Sequence, residues 1–115
     1  MSIVFIPQEP MVKVNGRWVS KGLDIASAYE YGDIVFVWPP GTSVMSRQLI
    51  EDDADVAAER YNDEVDYVVA LGSPSLIAAL GWAIGRRGKA LRMLEWDRAM
   101  KRYYPTLGER LTKGG

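Results

Sequence analysis

Residues 66–87, DYVVALGSPSLIAALGWAIGRR, decide the fold class of this chain. The segment begins with a short apolar run, passes through a Gly-Ser-Pro-Ser turn and continues with apolar residues at helical spacing. This order predicts a buried strand, a tight loop and a helix, which together are half of a βαβ unit. Ser73 stands at the N-cap position and Pro74 at the first helical position. The helix should pack Leu76, Ile77, Leu80 and Ile84 against a sheet.

Two further apolar runs predict the other strands of the parallel sheet. Residues 2–6 (SIVFI) and 33–38 (DIVFVW) are too uniformly apolar for a sheet with one solvated face, so both are predicted to be core strands. Pro7 and Pro10 should end the first of them. Between the strands, residues 23–31 predict a short helix that closes on Gly32. Residues 46–61 predict one helix or two short ones, with Met45, Leu49, Val56, Ala57 and Tyr61 on the buried face.

Two hairpins complete the predicted fold. Asn15 and Gly16 stand between short alternating runs in residues 12–19, which is the strongest local signal for a type I′ turn. Residues 90–96 and 101–104 predict an antiparallel hairpin near the C-terminus, and the tail from Thr106 should fray. We therefore predict one α/β domain over residues 1–115: a small three-layer structure whose largely parallel sheet has helices on both faces and an antiparallel C-terminal hairpin.

The composition excludes several kinds of catalytic site. The chain has 115 residues, of which 48% are hydrophobic and 25% charged, and it contains neither histidine nor cysteine. Serine-histidine triads, zinc sites and thiolate nucleophiles are therefore excluded. The N-terminal sequence MSIVFIPQEP does not resemble a signal peptide, and no apolar run approaches the roughly 18 residues of a membrane span. We expect a cytoplasmic protein that does not contact membranes.

Small polar residues follow the predicted strands at the carboxyl end of the sheet, where ligands of open α/β sheets bind. Hydroxyl groups beside helix N-termini are the chemistry that holds an anion or a phosphate. The candidate ligand-binding residues are Gly41, Thr42, Ser43, Gly72, Ser73 and Ser75. In the alternative that we favour, the serines cap helices and the glycines make turns. The chain has no G-x-G-x-x-G or Walker motif, and we predict no cofactor.

The densest group of carboxylates is formed by Glu51, Asp52, Asp53 and Asp55. Aspartate oxygens can hold Mg²⁺ or Ca²⁺, but this spacing lacks the alternating acidic positions of a calcium loop. Carboxylates near a helix N-terminus also interact favourably with the helix dipole. We therefore interpret the group as part of a helix and predict no metal site.

Basic residues are concentrated at the C-terminal end. Residues 1–85 contain five basic and twelve acidic residues, whereas residues 86–115 contain nine basic and three acidic. Arg98, Lys101 and Arg102 lie among Trp96, Tyr103 and Tyr104, and this mixture is typical of single-stranded nucleic-acid platforms. The alternative, which we favour, is that the rings pack in the sheet and the charges meet the acidic segment 51–66 or an acidic partner. Candidate partner-binding residues are Trp18, Arg98, Lys101 and Arg102.

The segment 91–105, LRMLEWDRAMKRYYP, resembles a stretch of small proteins encoded by tailed bacteriophages, in which a strand ending in Trp-Asp-Arg precedes a basic stretch and an aromatic residue before Pro. The preceding YVVALGSPSLIAAL is similar to the strand, glycine loop and helix of the same proteins. The resemblance covers roughly the C-terminal half. It implies a phage or prophage accessory protein and brings no activity or site residues with it.

These patterns favour a non-catalytic accessory protein that binds a macromolecular partner, and they favour a protein as that partner. A second hypothesis is that the chain binds or processes a small phosphate-bearing ligand at the carboxyl end of the sheet. A third is single-stranded nucleic-acid binding by the basic C-terminal hairpin, which the sequence pI of about 5.4 does not favour. The sequence leaves the oligomeric state open.

Overall fold

The computed structural model describes residues 2–20 and 25–106. The elements, in chain order, are β1 (Ile3–Gln8), β2 (Met11–Val14), β3 (Arg17–Ser20), a 3₁₀ helix (Ala26–Tyr31), β4 (Asp33–Trp38), α1 (Arg47–Arg60), β5 (Tyr67–Val69), α2 (Pro74–Arg86), β6 (Met93–Asp97) and β7 (Arg102–Pro105). The predicted start of the first helix at Leu23 and the tail from residue 107 lie outside the described residues. No helix within these ranges is both long and apolar enough to cross a membrane.

Five strands form the main sheet, in the order β4-β1-β5-β6-β7. The first four are parallel, and β7 pairs with β6 in the antiparallel sense. The predicted α/β class and the C-terminal hairpin are confirmed. Strands β2 and β3 form a separate two-stranded sheet, whose turn residues Asn15 and Gly16 both have positive φ, as a type I′ turn requires.

The handedness of the connections decides which face each helix covers. The chain moves from β1 to β4 in one direction, and then from β4 through β5 to β6 in the other. Because crossovers between parallel strands are right-handed, the connections that run in the two directions lie on opposite faces of the sheet. Helices α1 and α2 pack on one face with Phe5, Trp38 and Val68. The 3₁₀ helix covers Val4, Ile6 and Leu94 on the other. The predicted layers are confirmed, although a single short helix makes up the second.

The structure corrects the predicted buried face of α1 and adds the position of β4. Asp33–Trp38 is a strand as predicted, and it lies at the edge of the sheet, although its residues are as apolar as those of β1. Helix α1 is one helix, and Ala57 and Tyr61 are buried as predicted, but its other buried residues are Ile50, Ala54 and Ala58. Met45, Leu49 and Val56 are exposed. Alanine's small side chain lets α1 lie close to α2 and the sheet, whereas the prediction favoured larger residues.

Strand β1 also runs further than predicted, because Pro7 does not end it. Ile6 and Gln8, on either side of Pro7, pair with Phe36 and Trp38 of β4. The N–H of Gln8 donates to the carbonyl of Leu71 at 3.2 Å. The ladder therefore continues without the N–H that proline lacks. The extension carries the Gln8 side chain to the carboxyl end of the sheet.

Candidate functional site

A depression at the carboxyl end of the sheet lies where the strand order reverses. Chain connections leave β1 toward β4 on one side, and β5 and β6 lie on the other. Ligands of open α/β sheets bind at such a reversal. A cleft of about 470 Å³ lies there, and we call it the switch-point cleft. Its walls come from the ends of β1 and β5 and from the start of α2: Gln8, Glu9, Pro10, Met11, Ala70, Leu71, Gly72, Ser73 and Pro74.

The side chain of Gln8 joins the two loops that flank β1. Its Nε2 donates to the carbonyl oxygen of Pro39 at 3.0 Å, and its Oε1 accepts from the backbone N–H of Ser73 at 3.2 Å. Gly72 permits this approach, because a Cβ on Gly72 would lie 2.6 Å from the Gln8 Cβ. Gly72 also has φ of +116°, which side chains disfavour. The predicted residues Gly72 and Ser73 thus line the cleft. Gln8 lines it too, and the sequence analysis did not identify this residue.

The first turn of α2 has little hydrogen-bonding capacity left for an anion. Ser73 is the N-cap, as predicted, but its hydroxyl makes no cap bond. Its N–H is taken by Gln8, Pro74 has none, and the Leu76 N–H donates to the Ser73 carbonyl at 3.0 Å. Among the described residues, none accepts a bond from the Ser75 N–H. The acidic side chain of Glu9 also lines the cleft. The cleft therefore offers few donors to a phosphate.

The other predicted ligand residues, Gly41, Thr42 and Ser43, complete the loop after β4. Thr42 Oγ1 donates to the Pro39 carbonyl at 2.7 Å, and Ser43 Oγ accepts from the Met45 N–H at 3.2 Å. Gly41 lies against the ring of Trp18, because a Cβ there would come within 2.6 Å of Trp18 Cζ2. None of the three lines the switch-point cleft. The structure instead brings Gly41 together with the predicted partner residue Trp18.

Strands β2 and β3, which we call the hairpin arm, have two different faces. Lys13 pairs with Trp18, and its Nζ lies 5.7 Å from the ring centroid. This face rests on Gly41 through Trp18. Because directly paired residues share a face, the opposite face carries Val12, Val14 and Val19, which are 39%, 50% and 43% exposed, together with Arg17, the partner of Val14. The sequence analysis overlooked these valines, although Val12 and Val14 stand at strand spacing in the same run.

The predicted basic residues of the C-terminal hairpin lie at the same end of the sheet. We call residues 98–102 the basic turn. Asp97 Oδ1 accepts from the N–H groups of Ala99 and Met100 at 2.9 and 3.2 Å and so holds the turn. The three cationic residues of the turn, Arg98, Lys101 and Arg102, are exposed. Within residues 2–20 and 25–106 they form no ion pair. The predicted pairing of these three with the acidic segment is therefore not seen.

The aromatic residues beside the basic turn are mostly part of the sheet. The rings of Trp96 and Tyr103 meet edge to face with centroids 5.1 Å apart. Tyr103 is buried, and its carbonyl accepts from the Tyr31 hydroxyl at 3.0 Å. Tyr104 is exposed. Two of the three rings thus pack in the fold, and the turn does not form a row of free stacking platforms.

Basic residues earlier in the C-terminal segment do meet the α1 region. Arg87 contacts Asp55 at 3.0 Å, and this hydrogen bond lowers the pKa of the Asp55 carboxyl. Lys89 Nζ donates to three carbonyls at the end of α1 and just beyond it, those of Ala58, Glu59 and Tyr61. A cation there complements the negative end of the helix dipole. The charge asymmetry of the chain is thus partly satisfied internally.

The carboxylates of α1 are directed to different partners. Glu51 pairs with Arg47, Asp52 accepts from Gln48, and Asp53 Oδ2 accepts from Trp38 Nε1 at 3.2 Å. In the described part of the chain, no group of three or more acidic residues could hold a metal ion. The acidic group therefore belongs to helix α1, as the sequence analysis interpreted it.

Comparison with known proteins identifies the family. No curated protein and no solved structure matches the chain. The model of one family, the Phage Pam3 gp32-like proteins, matches residues 2–108. The match confirms the resemblance to phage proteins and extends it from the C-terminal half to almost the whole length. This chain belongs to the Phage Pam3 gp32-like protein family.

Proposed function

We propose that this phage protein is a non-catalytic accessory protein that binds another protein through the carboxyl end of its sheet. The observation that carries the proposal is the exposed face of the hairpin arm. Three valines on a two-stranded ribbon face solvent there, while the ribbon pairs with no strand of the main sheet among the described residues. The proposal includes action in the cytoplasm of the host cell.

The hairpin arm is an isolated two-stranded ribbon, which has little stability of its own. Two-stranded hairpins are marginally stable in water unless a hydrophobic face is covered. Trp18 contacts Gly41 on one face of the arm and is still 41% exposed, and the valine face is left without cover among the described residues. Met45, in the loop that holds Gly41, is also exposed, at 87%. The three valines share one face of the arm, and exposed apolar residues grouped on one face are typical of protein interfaces.

The charge at the same end of the sheet indicates the chemistry of the partner. The basic turn adds Arg98, Lys101 and Arg102 across the switch-point cleft from the hairpin arm. Their charges are not neutralised within the described residues. A partner surface with an apolar patch flanked by carboxylates would match the valine face and the basic turn. Complementary charge speeds association and sets specificity.

Affinity capture of proteins from phage-infected host cells tests the proposal. The wild-type chain, two variants of the valine face and a control variant serve as bait. Val14→Glu and Val19→Glu place a charge on the valine face, whereas Trp82→Glu places one on the exposed surface of α2. We expect the wild type and the Trp82 variant to retain the same protein, and the two valine variants to lose it. A captured protein that is unaffected by both valine changes would contradict the proposal.

A second candidate function is the binding of a small phosphate-bearing ligand in the switch-point cleft, which the strand-order reversal favours. Gln8→Ala would free the Ser73 N–H, so phosphate or a nucleotide should bind this variant more tightly than the wild type. Amide shifts of Gly72, Ser73 and Ser75 during titration would support this candidate. Shifts scattered over the surface, or no shifts, would exclude it.

A further inference from the structure

Strand β4 has the sequence of a central strand at the edge of the sheet. Its residues are DIVFVW, without proline or lysine, and its one charge, Asp33, stands at the first position. Natural edge strands are usually blunted by proline or by charged residues, because their free N–H and C=O groups pair readily with another strand. Strand β1 occupies one side of β4, and no strand among the described residues pairs with the other. Both faces of β4 are packed, Val35 and Val37 on the α1 side and Phe36 on the side of the 3₁₀ helix, so what one copy leaves unused is the free hydrogen-bonding edge.

A groove runs between the free side of β4 and helix α1. It has a volume of about 240 Å³, and its lining includes Val35, Val37, Asp53, Val56 and Arg60. Val56 lines the groove and is 59% exposed, so an apolar side chain there faces water. An additional strand beside β4 would cover this part of α1 as well.

The charged residues on this face of α1 are complementary to the same residues of a second copy. Asp53 precedes Val56 by three residues and Arg60 follows it by four, so the three share one helix face. Trp38 Nε1 donates to Asp53 Oδ2 and fixes the carboxylate. Arg60 forms no ion pair within the described part of the chain. If a second α1 lies antiparallel about a two-fold axis at Val56, Asp53 of each copy faces Arg60 of the other.

The same two-fold axis is compatible with antiparallel pairing of two β4 strands. Helix α1 returns antiparallel to β4, and Asp53 is level with Trp38 because the two side chains are bonded. Val56 lies about 4.5 Å further along the helix, and Phe36 lies about 6.6 Å back along the strand. A two-fold axis through Val56 therefore passes close to the middle of β4. Two β4 strands related by this axis are antiparallel, as edge-to-edge pairing about a two-fold requires.

We propose that two copies of this chain associate through β4 and α1, joining their sheets edge to edge and placing Val56 on Val56. The interface is isologous, since the same residues of both copies meet. It pairs the free edge of β4, buries the valine in the groove and neutralises Arg60 with Asp53. This surface lies at the opposite edge of the sheet from the basic turn, and no residue of the hairpin arm lines the groove.

Sedimentation equilibrium of the full chain tests the proposal. The wild type should approach twice the 12.9-kDa mass of one chain. Val56→Lys and Arg60→Asp should each raise the dimer dissociation constant at least about tenfold, and adding Asp53→Lys to Arg60→Asp should restore much of the affinity. Both Val56 and Arg60 are exposed in the monomer, so far-UV circular dichroism should be unchanged. Val14→Lys, on the hairpin arm, is the control and should remain dimeric.

Hydrogen exchange distinguishes strand pairing from contact between helices alone. Amides of residues 33–38 should gain protection as the concentration of wild-type protein rises, and Val56→Lys should abolish that gain. A chain that is monomeric at concentrations of about 100 µM would overturn the proposal. A dimer that persists in the Val56 and Arg60 variants but dissociates in the Val14 variant would overturn it too, and would assign the interface to the hairpin arm.

Discussion

The side-chain carbonyl of Gln8 accepts a hydrogen bond from the backbone N–H of Ser73 at 3.2 Å, across 65 residues of sequence. The bond closes one side of the switch-point cleft and uses an N–H that would otherwise point from the α2 N-terminus. It depends on the absence of a side chain at Gly72. This hydrogen bond therefore helps to hold the carboxyl end of the sheet together. The exposed hairpin arm and the basic turn lie on either side of the cleft.

Replacing Gly72 by alanine should destabilise the protein by about 1–3 kcal/mol. The new Cβ would lie 2.6 Å from the Gln8 Cβ, and φ of +116° would be strained for any side chain. Gly81→Ala is the matched control, because its Cβ would meet only Leu91 at 4.0 Å. That change should stabilise α2 by about 0.5–1 kcal/mol. Urea unfolding of both variants measures the difference, and equal effects would refute the assigned role of Gly72.

Asp66 should be the carboxylate whose loss most affects stability. It is 2% exposed, and its two oxygens accept from the N–H groups of Ile3 at 2.7 Å and Asn62 at 2.8 Å. Asp66→Ala leaves both donors without their partner, which should cost about 2–3 kcal/mol. Asp52→Ala, whose carboxylate bonds only Gln48 on the helix surface, should change stability by less than about 0.5 kcal/mol. Chemical denaturation would show the contrast, and similar losses would contradict it.

Tyr61 predicts a loss of stability at alkaline pH. Burial raises the pKa of its hydroxyl from 10.0 to about 12, and the hydroxyl donates to the Ala90 carbonyl and accepts from the Arg92 N–H. The folded state therefore resists deprotonation more than the unfolded state does. The stabilisation is fully present below pH 10 and should be lost as pH rises through 12. Thermal unfolding across this range should be less pH-dependent in Tyr61→Phe, whereas exposed Tyr29→Phe should follow the wild type.

The basic turn should not bind generic single-stranded nucleic acid. Two of its three neighbouring rings pack in the sheet, so stacking platforms are scarce. We expect no submicromolar binding of an oligonucleotide in about 0.15 M salt. Reversing the charges of Arg98, Lys101 and Arg102 should instead weaken capture of the protein partner. Tight, salt-dependent oligonucleotide binding that this reversal abolishes would replace the protein-partner proposal with the nucleic-acid one.

Local patterns predicted the elements well, because each depends on residues close in sequence. The Asn15-Gly16 turn, the Ser73-Pro74 helix start and the burial of Leu76, Leu80 and Ile84 all follow from such signals. The order of strands does not. Apolar residues indicate that β4 is a core strand, but they do not say whether a neighbour from the same chain lies on both sides of it.

The candidate site was predicted only in part for the same reason. Gly72 and Ser73 were identified because a strand-loop-helix segment is visible in the sequence. Gln8 was not, since its role requires β1 to lie between β4 and β5. Likewise, Trp18 stood out as an exposed aromatic residue, but its contact with Gly41 depends on how the hairpin arm folds back on the loop after β4.

Photo-crosslinking in infected host cells tests the central claim most directly. Val14, on the open face of the hairpin arm, is replaced by a benzophenone amino acid, and Trp82, exposed on α2, is replaced by the same group as a control. The account predicts one dominant crosslinked protein from position 14 that is absent from position 82. No crosslink from position 14, or the same products from both positions, would contradict it.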